Sequence, residues 1–186
     1  MILSYKNKSK NILIGNRVPR DYFITKGSGE SDIQVHAGSY HLALKAADIE
    51  AFNIVTYSSI LPAIAREIPR PSNMVHGSVM ETIMAASNMP KGKRATAAII
   101  FGWLYDKKTG KKYGGLVCEY NGSLSEQKAG ESLRASLDEL YFNGFSEHYD
   151  LRDIKLITNS FVPKKKYGTA LVALCFVNYE VPIIKN

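Results

Sequence analysis

Cysteine and histidine are scarce in this sequence, and no long apolar run is present. The 186 residues include two cysteines and four histidines. His36 and His41 are five residues apart, and no carboxylates are arranged around them as ligands. This scarcity argues against a disulfide framework and predicts no metal site. No segment approaches the roughly 20 apolar residues that a membrane-spanning helix requires, which predicts no membrane association.

The two cysteines, Cys118 and Cys175, both lie in apolar, strand-like segments. Buried free thiols of this kind are typical of a reducing compartment. Residues 1–10 contain neither an apolar signal-peptide core nor a small-residue cleavage site. We therefore expect a cytoplasmic protein.

Basic residues outnumber acidic residues in this sequence. The chain carries 24 Lys and Arg residues against 17 Asp and Glu residues, a formal net charge of +7. Nucleic-acid binding would account for such a charge. However, the lysines cluster in the tail and in turns, at Lys6–Lys10, Lys91–Arg94, Lys107–Lys112 and Lys164–Lys166. Because no aromatic residues are interleaved with them to stack bases, the sequence predicts no nucleic-acid partner.

Hydrophobic residues are plentiful, at 45% of the chain, which suits one globular domain with a substantial core. Two segments have helical periodicity: Ser39–Glu50, with Ser39 as its N-cap, and Ser123–Phe142. About seven segments have strand patterns, and their short connections favour antiparallel pairing. Residues 1–186 are therefore predicted to form a single-domain α+β sandwich with mainly antiparallel sheets.

Two further segments carry specific expectations. Ala95–Leu104 is apolar on both faces, which predicts a central strand. Gly27–Asp32 is rich in glycine and serine and is predicted to be a loop.

The segment Asn53–Pro62 organises the rest of the chain. Residues 53–57 are mostly β-branched or aromatic, which predicts a strand that ends on Ser58 and Ser59. Pro62 cannot donate to a ladder, so pairing should stop before it. Two adjacent hydroxyls at a strand end carry no specific signal by themselves.

Glu119 is a lone carboxylate in the predicted strand Tyr113–Asn121. Alternation places Leu116 and Cys118 on one face of this strand and Glu119 on the other. A buried carboxylate is costly unless it is paired or protonated, and such a group can deliver a proton during catalysis. A glutamate that points to water from an edge strand fits the pattern equally well, so both interpretations remain open.

In order and spacing, Gly27–Ser31, Phe52–Pro62 and Gly115–Tyr120 resemble the pyruvoyl-dependent arginine decarboxylases. The similarity extends weakly from about Tyr22 to the C-terminal strand. The combination of the serine block with the later glutamate makes the resemblance fairly specific, whereas either motif alone would not.

This resemblance implies a proenzyme with an αββα sandwich fold that cuts itself between Ser58 and Ser59. The products would be a β chain of residues 1–58 and an α chain of residues 59–186. Ser59 Oγ would attack the Ser58 carbonyl, and elimination and hydrolysis would convert Ser59 into a covalent pyruvoyl cofactor. The implied reaction is the decarboxylation of L-arginine to agmatine and carbon dioxide. Homotrimers with active sites between subunits are also implied.

The resemblance also implies roles for individual residues. Asn53 would assist self-processing or orient the substrate, and Glu119 would protonate the substrate carbon after decarboxylation. Leu44 would line the substrate pocket, and Ile60 would contribute to substrate binding. His41 occupies the position of an aspartate that binds the substrate guanidinium in the family.

His41 leaves two alternatives open, because an imidazole cannot replace a bidentate carboxylate. Another carboxylate, from the same or a neighbouring subunit, could supply the charge; the sequence offers Glu30, Asp32 and Asp48. The substrate could instead be a different amino acid. From another class of protein altogether, the chain could be a basic α+β binding module in which Ser58 and Ser59 are inert.

Overall fold

The structure, a computed structural model, describes residues 14–183, so the Lys6–Lys10 cluster lies outside it. In chain order, the strands are β1 (Val18–Pro19), β2 (Asp21–Ser31), β3 (Asn53–Thr56), β4 (Ile60–Pro62), β5 (Arg66–Glu67), β6 (Val79–Pro90), β7 (Ala95–Asp106), β8 (Lys112–Gly122), β9 (Tyr149–Phe161), β10 (Tyr167–Phe176) and β11 (Tyr179–Glu180). The helices are α1 (His41–Ala46), which continues a π-helical turn at Val35–Tyr40, and α2 (Glu126–Gly144).

Most strands form two sheets that face each other. The first has the order β3-β6-β10-β2-β5 and is antiparallel except at its two edges, where β3 and β5 pair in parallel. The second has the order β4-β8-β7-β9 and is antiparallel throughout. Helix α1 packs on the outer face of the first sheet and α2 on the outer face of the second. The predicted α+β fold and αββα sandwich are confirmed.

The long apolar segments bury their side chains in three layers. Strand β7 lies between β8 and β9, as its two apolar faces predicted. Its residues Ile99 and Phe101 fill the layer between the sheets, and Ile100 contacts the layer beneath α2. On β8, Cys118 lies in the α2 layer and Val117 in the layer between the sheets. Alternation therefore directs Glu119 toward the layer between the sheets.

The predicted loop at 27–32 is wrong, because residues 27–31 continue strand β2. The glycines in this segment allow the helical segment that includes α1 to pack closely on β2. A Cβ on Gly27 would lie 2.1 Å from the Ala43 carbonyl oxygen, and one on Gly29 would lie 2.4 Å from the Ser39 carbonyl oxygen. Only a strand without side chains at these points lets α1 approach so closely.

The helix starts also differ from the prediction. Ser39 is not an N-cap; it is buried inside the π-helical turn, where its hydroxyl lies 2.9 Å from that of Thr169. Helix α1 ends at Ala46, before the expected Glu50. Helix α2 begins later than predicted because Ser125 is its N-cap, and the Ser125 hydroxyl accepts the Lys128 N–H at 3.3 Å.

Candidate functional site

Ser58 and Ser59 lie where the chain passes from one sheet to the other. The predicted strand ends at Thr56 as β3 of the first sheet, and the chain pairs again after the serines as β4 of the second sheet. Pairing was expected to stop before Pro62, but Pro62 is in β4 and lies opposite Gly114 of β8. The Tyr57 N–H donates to the Thr82 carbonyl at 2.7 Å on one side. On the other side, the Val117 N–H donates to the Ser59 carbonyl at 3.2 Å. The segment from Tyr57 to Ser59 is therefore anchored at its two ends to different sheets.

The backbone turns tightly at Ser59. The Ile60 N–H donates to the Ser58 carbonyl oxygen at 2.9 Å, which closes a three-residue turn centred on Ser59. Ser58 is exposed and Ser59 is half-buried. The Ser58 carbonyl, the group that a neighbouring hydroxyl would attack, thus already accepts one backbone hydrogen bond.

Glu119 meets Ser59 at this turn. Ser59 Oγ lies 2.7 Å from both carboxylate oxygens of Glu119, so the hydroxyl donates to a group 60 residues away in the chain. Pairing of β4 with β8, including Ile60 with Leu116, brings the two elements together. Glu119 is half-buried. A carboxylate at this distance can accept a proton from the hydroxyl or return one to a reacting group.

A cavity of about 700 Å³ lies beside α1 and the start of β3. It brings together three of the residues that the sequence singled out, His41, Leu44 and Asn53. Leu44 is buried and His41 is exposed. Asn53 Nδ2 donates to the Gly77 carbonyl at 2.8 Å, which holds its amide against the loop that precedes β6. We call this space the α1 cavity.

The remaining predicted residues are not in the α1 cavity. Ser59 and Glu119 do not line it, and neither does Ile60, whose side chain is 61% exposed. Within one chain, the predicted residues therefore form two groups, the Ser59–Glu119 pair and the α1 cavity.

Sequence reasoning missed several cavity residues, chiefly Glu50, Phe52 and Tyr40. The ring of Tyr40 stacks on His36 with centroids 5.9 Å apart, a contact that their i, i+4 spacing could have indicated. Burial raises the pKa of Tyr40, which therefore stays a neutral hydroxyl. Glu50 lies in the turn after α1, where periodicity gives no direction for a side chain.

The three carboxylates proposed from sequence are engaged elsewhere. Glu30 accepts the Lys164 N–H at 2.7 Å, and Asp32 accepts the Lys166 N–H at 3.0 Å. Asp48 pairs with Arg70 at 3.1 Å. These contacts leave Glu50 as the carboxylate of the α1 cavity.

Residues 14–183 contain neither a candidate metal site nor a helix that could span a membrane. No group of three or more His, Cys, Asp or Glu side chains in this part of the chain could hold a metal ion. No helix described there is long and apolar enough to span a membrane.

Comparison with known proteins gives the family. The sequence model of the family described as pyruvoyl-dependent arginine decarboxylase (PvlArgDC) matches residues 21–181. Pyruvoyl-dependent arginine decarboxylase AaxB of Chlamydia abortus is 34% identical over 188 residues, covering 89% of this chain and 94% of the relative. AaxB of Chlamydia pneumoniae has the same identity and coverage. Pyruvoyl-dependent arginine decarboxylase 2 of Methanosarcina mazei is 33% identical over 86 residues, 45% of this chain and 46% of the relative.

The family match spans both groups of site residues, the Ser59–Glu119 pair and the α1 cavity. Members of this family depend on a covalent pyruvoyl group, so this is the cofactor that the match implies. The resemblance seen in the sequence is therefore confirmed. The chain belongs to the pyruvoyl-dependent arginine decarboxylase family.

Proposed function

We propose that this chain is a proenzyme that cuts itself between Ser58 and Ser59 and then decarboxylates L-arginine to agmatine. The observation that carries this proposal is the Ser59 hydroxyl, which lies 2.7 Å from both Glu119 oxygens. The names of the relatives favour arginine over another amino acid and do not favour an inert binding module.

The self-cut uses groups that are already adjacent. Glu119 accepts the Ser59 proton while Oγ bonds to the Ser58 carbonyl carbon, and the Ile60 N–H stabilises the developing oxyanion. The Ser58–Ser59 C–N bond breaks, the proton held by Glu119 passes to the departing Ser59 nitrogen, and an ester remains. Loss of the Ser59 Cα proton then expels Ser58 as a carboxylate, and the remaining enamine is hydrolysed with release of ammonia. Residue 59 becomes the pyruvoyl group.

Glu119 has a second role in turnover. The pyruvoyl group supplies an electrophilic carbonyl that withdraws electrons when carbon dioxide leaves the substrate. Glu119, next to residue 59, gives a proton to the substrate carbon. Asn53 lines the same cavity as Leu44 and His41, where it would orient the bound amino acid.

A homotrimer would unite the two groups of residues. Strands β3 and β4 are the edges of their sheets, and the nearby side chains of Val55, Ile60 and Val79 are 44%, 61% and 62% exposed. Such an apolar edge favours association with another copy. In the trimer, the α1 cavity of one subunit would face the Ser59–Glu119 pair of its neighbour.

The location remains a prediction. Cys118 and Cys175 are free and buried, which is consistent with the reducing cytoplasm expected from the sequence.

Intact-mass spectrometry of the purified chain tests the proposal. We expect fragments 1–58 and 59–186, the second lighter by one ammonia than a fragment that begins with serine. Ser59→Ala should stay whole, because it lacks the nucleophile. Ser58→Ala should still be cut, because Ser58 contributes only its carbonyl. Light scattering of the same sample should give a trimer, and carbon dioxide release should follow addition of arginine.

An uncut wild-type chain after long incubation would contradict the proposal. So would fragments in the Ser59→Ala variant.

A further inference from the structure

We propose that Glu50 determines substrate specificity by binding the cationic guanidinium head of the substrate in the α1 cavity. The inference rests on the proposed function, because that function supplies a guanidinium substrate. It goes further by assigning the charge that the sequence could not locate.

Glu50 is available for a ligand. It lies in the turn between α1 and β3, is half-buried and lines the cavity. It makes no hydrogen bond or ion pair with any residue from 14 to 183, whereas Glu30, Asp32 and Asp48 are all engaged outside the cavity. Among the described residues that line the α1 cavity, Glu50 alone carries a carboxylate.

The walls around Glu50 suit the rest of an arginine side chain. Leu44, Phe52 and Ile54 provide apolar surface for its methylene groups. Asn53 also lines the cavity; its Nδ2 donates to the Gly77 carbonyl, and its amide oxygen can accept a hydrogen bond from the polar end of the substrate. A cation, an apolar stem and a polar end thus each find a partner.

The charges of the chain make the Glu50 carboxylate important for binding a cation. The chain carries a net charge of +7, so its overall field does not attract a cation. His41 and His36 line the cavity but cannot provide a negative charge. Removal of one carboxylate should therefore remove most of the discrimination between a charged and a neutral head group.

Agmatine binding tests this inference separately from catalysis. Calorimetry on the purified wild-type protein and on Glu50→Gln should show an affinity loss of about 10- to 100-fold, since a hydrogen bond to a charged group is replaced by a neutral one. Asp48→Asn is the matched control, because its carboxylate lies two residues away and pairs with Arg70 instead. This control should bind agmatine like the wild type.

Rescue and kinetics sharpen the test. In the Glu50→Gln background, His41→Asp places a carboxylate on another wall of the same cavity and should recover part of the affinity. For Glu50→Gln, KM for arginine should rise with little change in kcat, because the guanidinium is remote from the reacting bond. The preference for arginine over L-citrulline, its neutral analogue, should fall by a similar factor.

The outcomes separate the two proposals. If the wild type decarboxylates arginine while Glu50→Gln binds agmatine equally well, the role of Glu50 is wrong and the proposed function stands. If Glu50→Gln loses agmatine binding while the wild type is never cut, the guanidinium site stands and the proposed function is wrong. Normal cutting of Glu50→Gln would show that the variant is folded.

Discussion

At the Ser59–Glu119 pair, strands set the geometry: β4 pairs with β8, and backbone hydrogen bonds hold Tyr57 to the first sheet and Ser59 to the second. At the α1 cavity, much of the wall comes from a short helix and the turn after it. Hydrogen bonds between paired strands fix the position of each residue relative to its partner. A turn, in contrast, can accept changes of sequence without loss of the fold. This difference suggests that chemistry is built into the sheets and recognition into the more adaptable segment.

Glu119→Gln should distinguish most strongly between catalysis at the Ser59–Glu119 pair and ligand binding at the α1 cavity. Loss of the proton donor should lower kcat for arginine by about 100- to 10,000-fold. The self-cut should become slower but still reach completion on long incubation, because the amide oxygen can still orient the Ser59 hydroxyl although it cannot take its proton. Agmatine affinity should change much less than kcat, since Glu119 does not line the α1 cavity of its own chain. Carbon dioxide release, intact mass and calorimetry measure the three properties.

The control for this variant is Glu147→Gln, whose side chain is 87% exposed. It should behave as the wild type in all three measurements. Release of carbon dioxide by Glu119→Gln at the wild-type rate would reject its role as the donor.

The same contrast explains which features the sequence could predict. Alternation in β8 correctly separated Cys118 from Glu119, because a strand has a strict period of two. The contact between Ser59 and Glu119, 60 residues apart, depends on the pairing of β4 with β8, which local patterns do not reveal. Family resemblance, rather than periodicity, singled out these two residues together.

The α1 side was predicted less well for two physical reasons. Gly27 and Gly29 gave their segment the composition of a loop, although they serve to let a helix approach a strand. Glu50 was predicted as the last residue of a helix that ends at Ala46 instead, and the three carboxylates weighed from sequence did not include it.

Gly27→Ala should perturb the α1 side alone. The new Cβ would lie 2.1 Å from the Ala43 carbonyl oxygen and 2.7 Å from the Ala47 nitrogen, both backbone atoms, so α1 must move away from β2. We expect a loss of about 1–3 kcal/mol in the free energy of unfolding, as for other overpacked sites. Agmatine affinity should fall, while the cut at Ser59 should continue. Urea denaturation, calorimetry and intact mass test these expectations.

Gly144→Ala is the matched control, because a Cβ there meets no heavy atom within 4 Å. It should be neutral, or more stable by about 0.5–1 kcal/mol as expected for alanine in a helix. If Gly27→Ala abolished the cut but left agmatine binding intact, the proposed division between the two regions would be wrong.

The smallest expected effect concerns Cys118, which lies next to Glu119 on β8 but faces the apolar layer beneath α2. Burial, with a contribution from the Glu119 carboxylate, raises the pKa of the Cys118 thiol from its ordinary 9.0 to about 11. Between these values the unfolded chain ionises this thiol while the folded chain keeps it neutral, so folding stability should decrease as the pH rises through this window. Cys118→Ala should therefore show a weaker decline in its urea midpoint between pH 9 and 11 than the wild type. An equal decline in both proteins would mean that water reaches the thiol and that the layer supporting the Ser59–Glu119 pair is less well packed than the structure indicates.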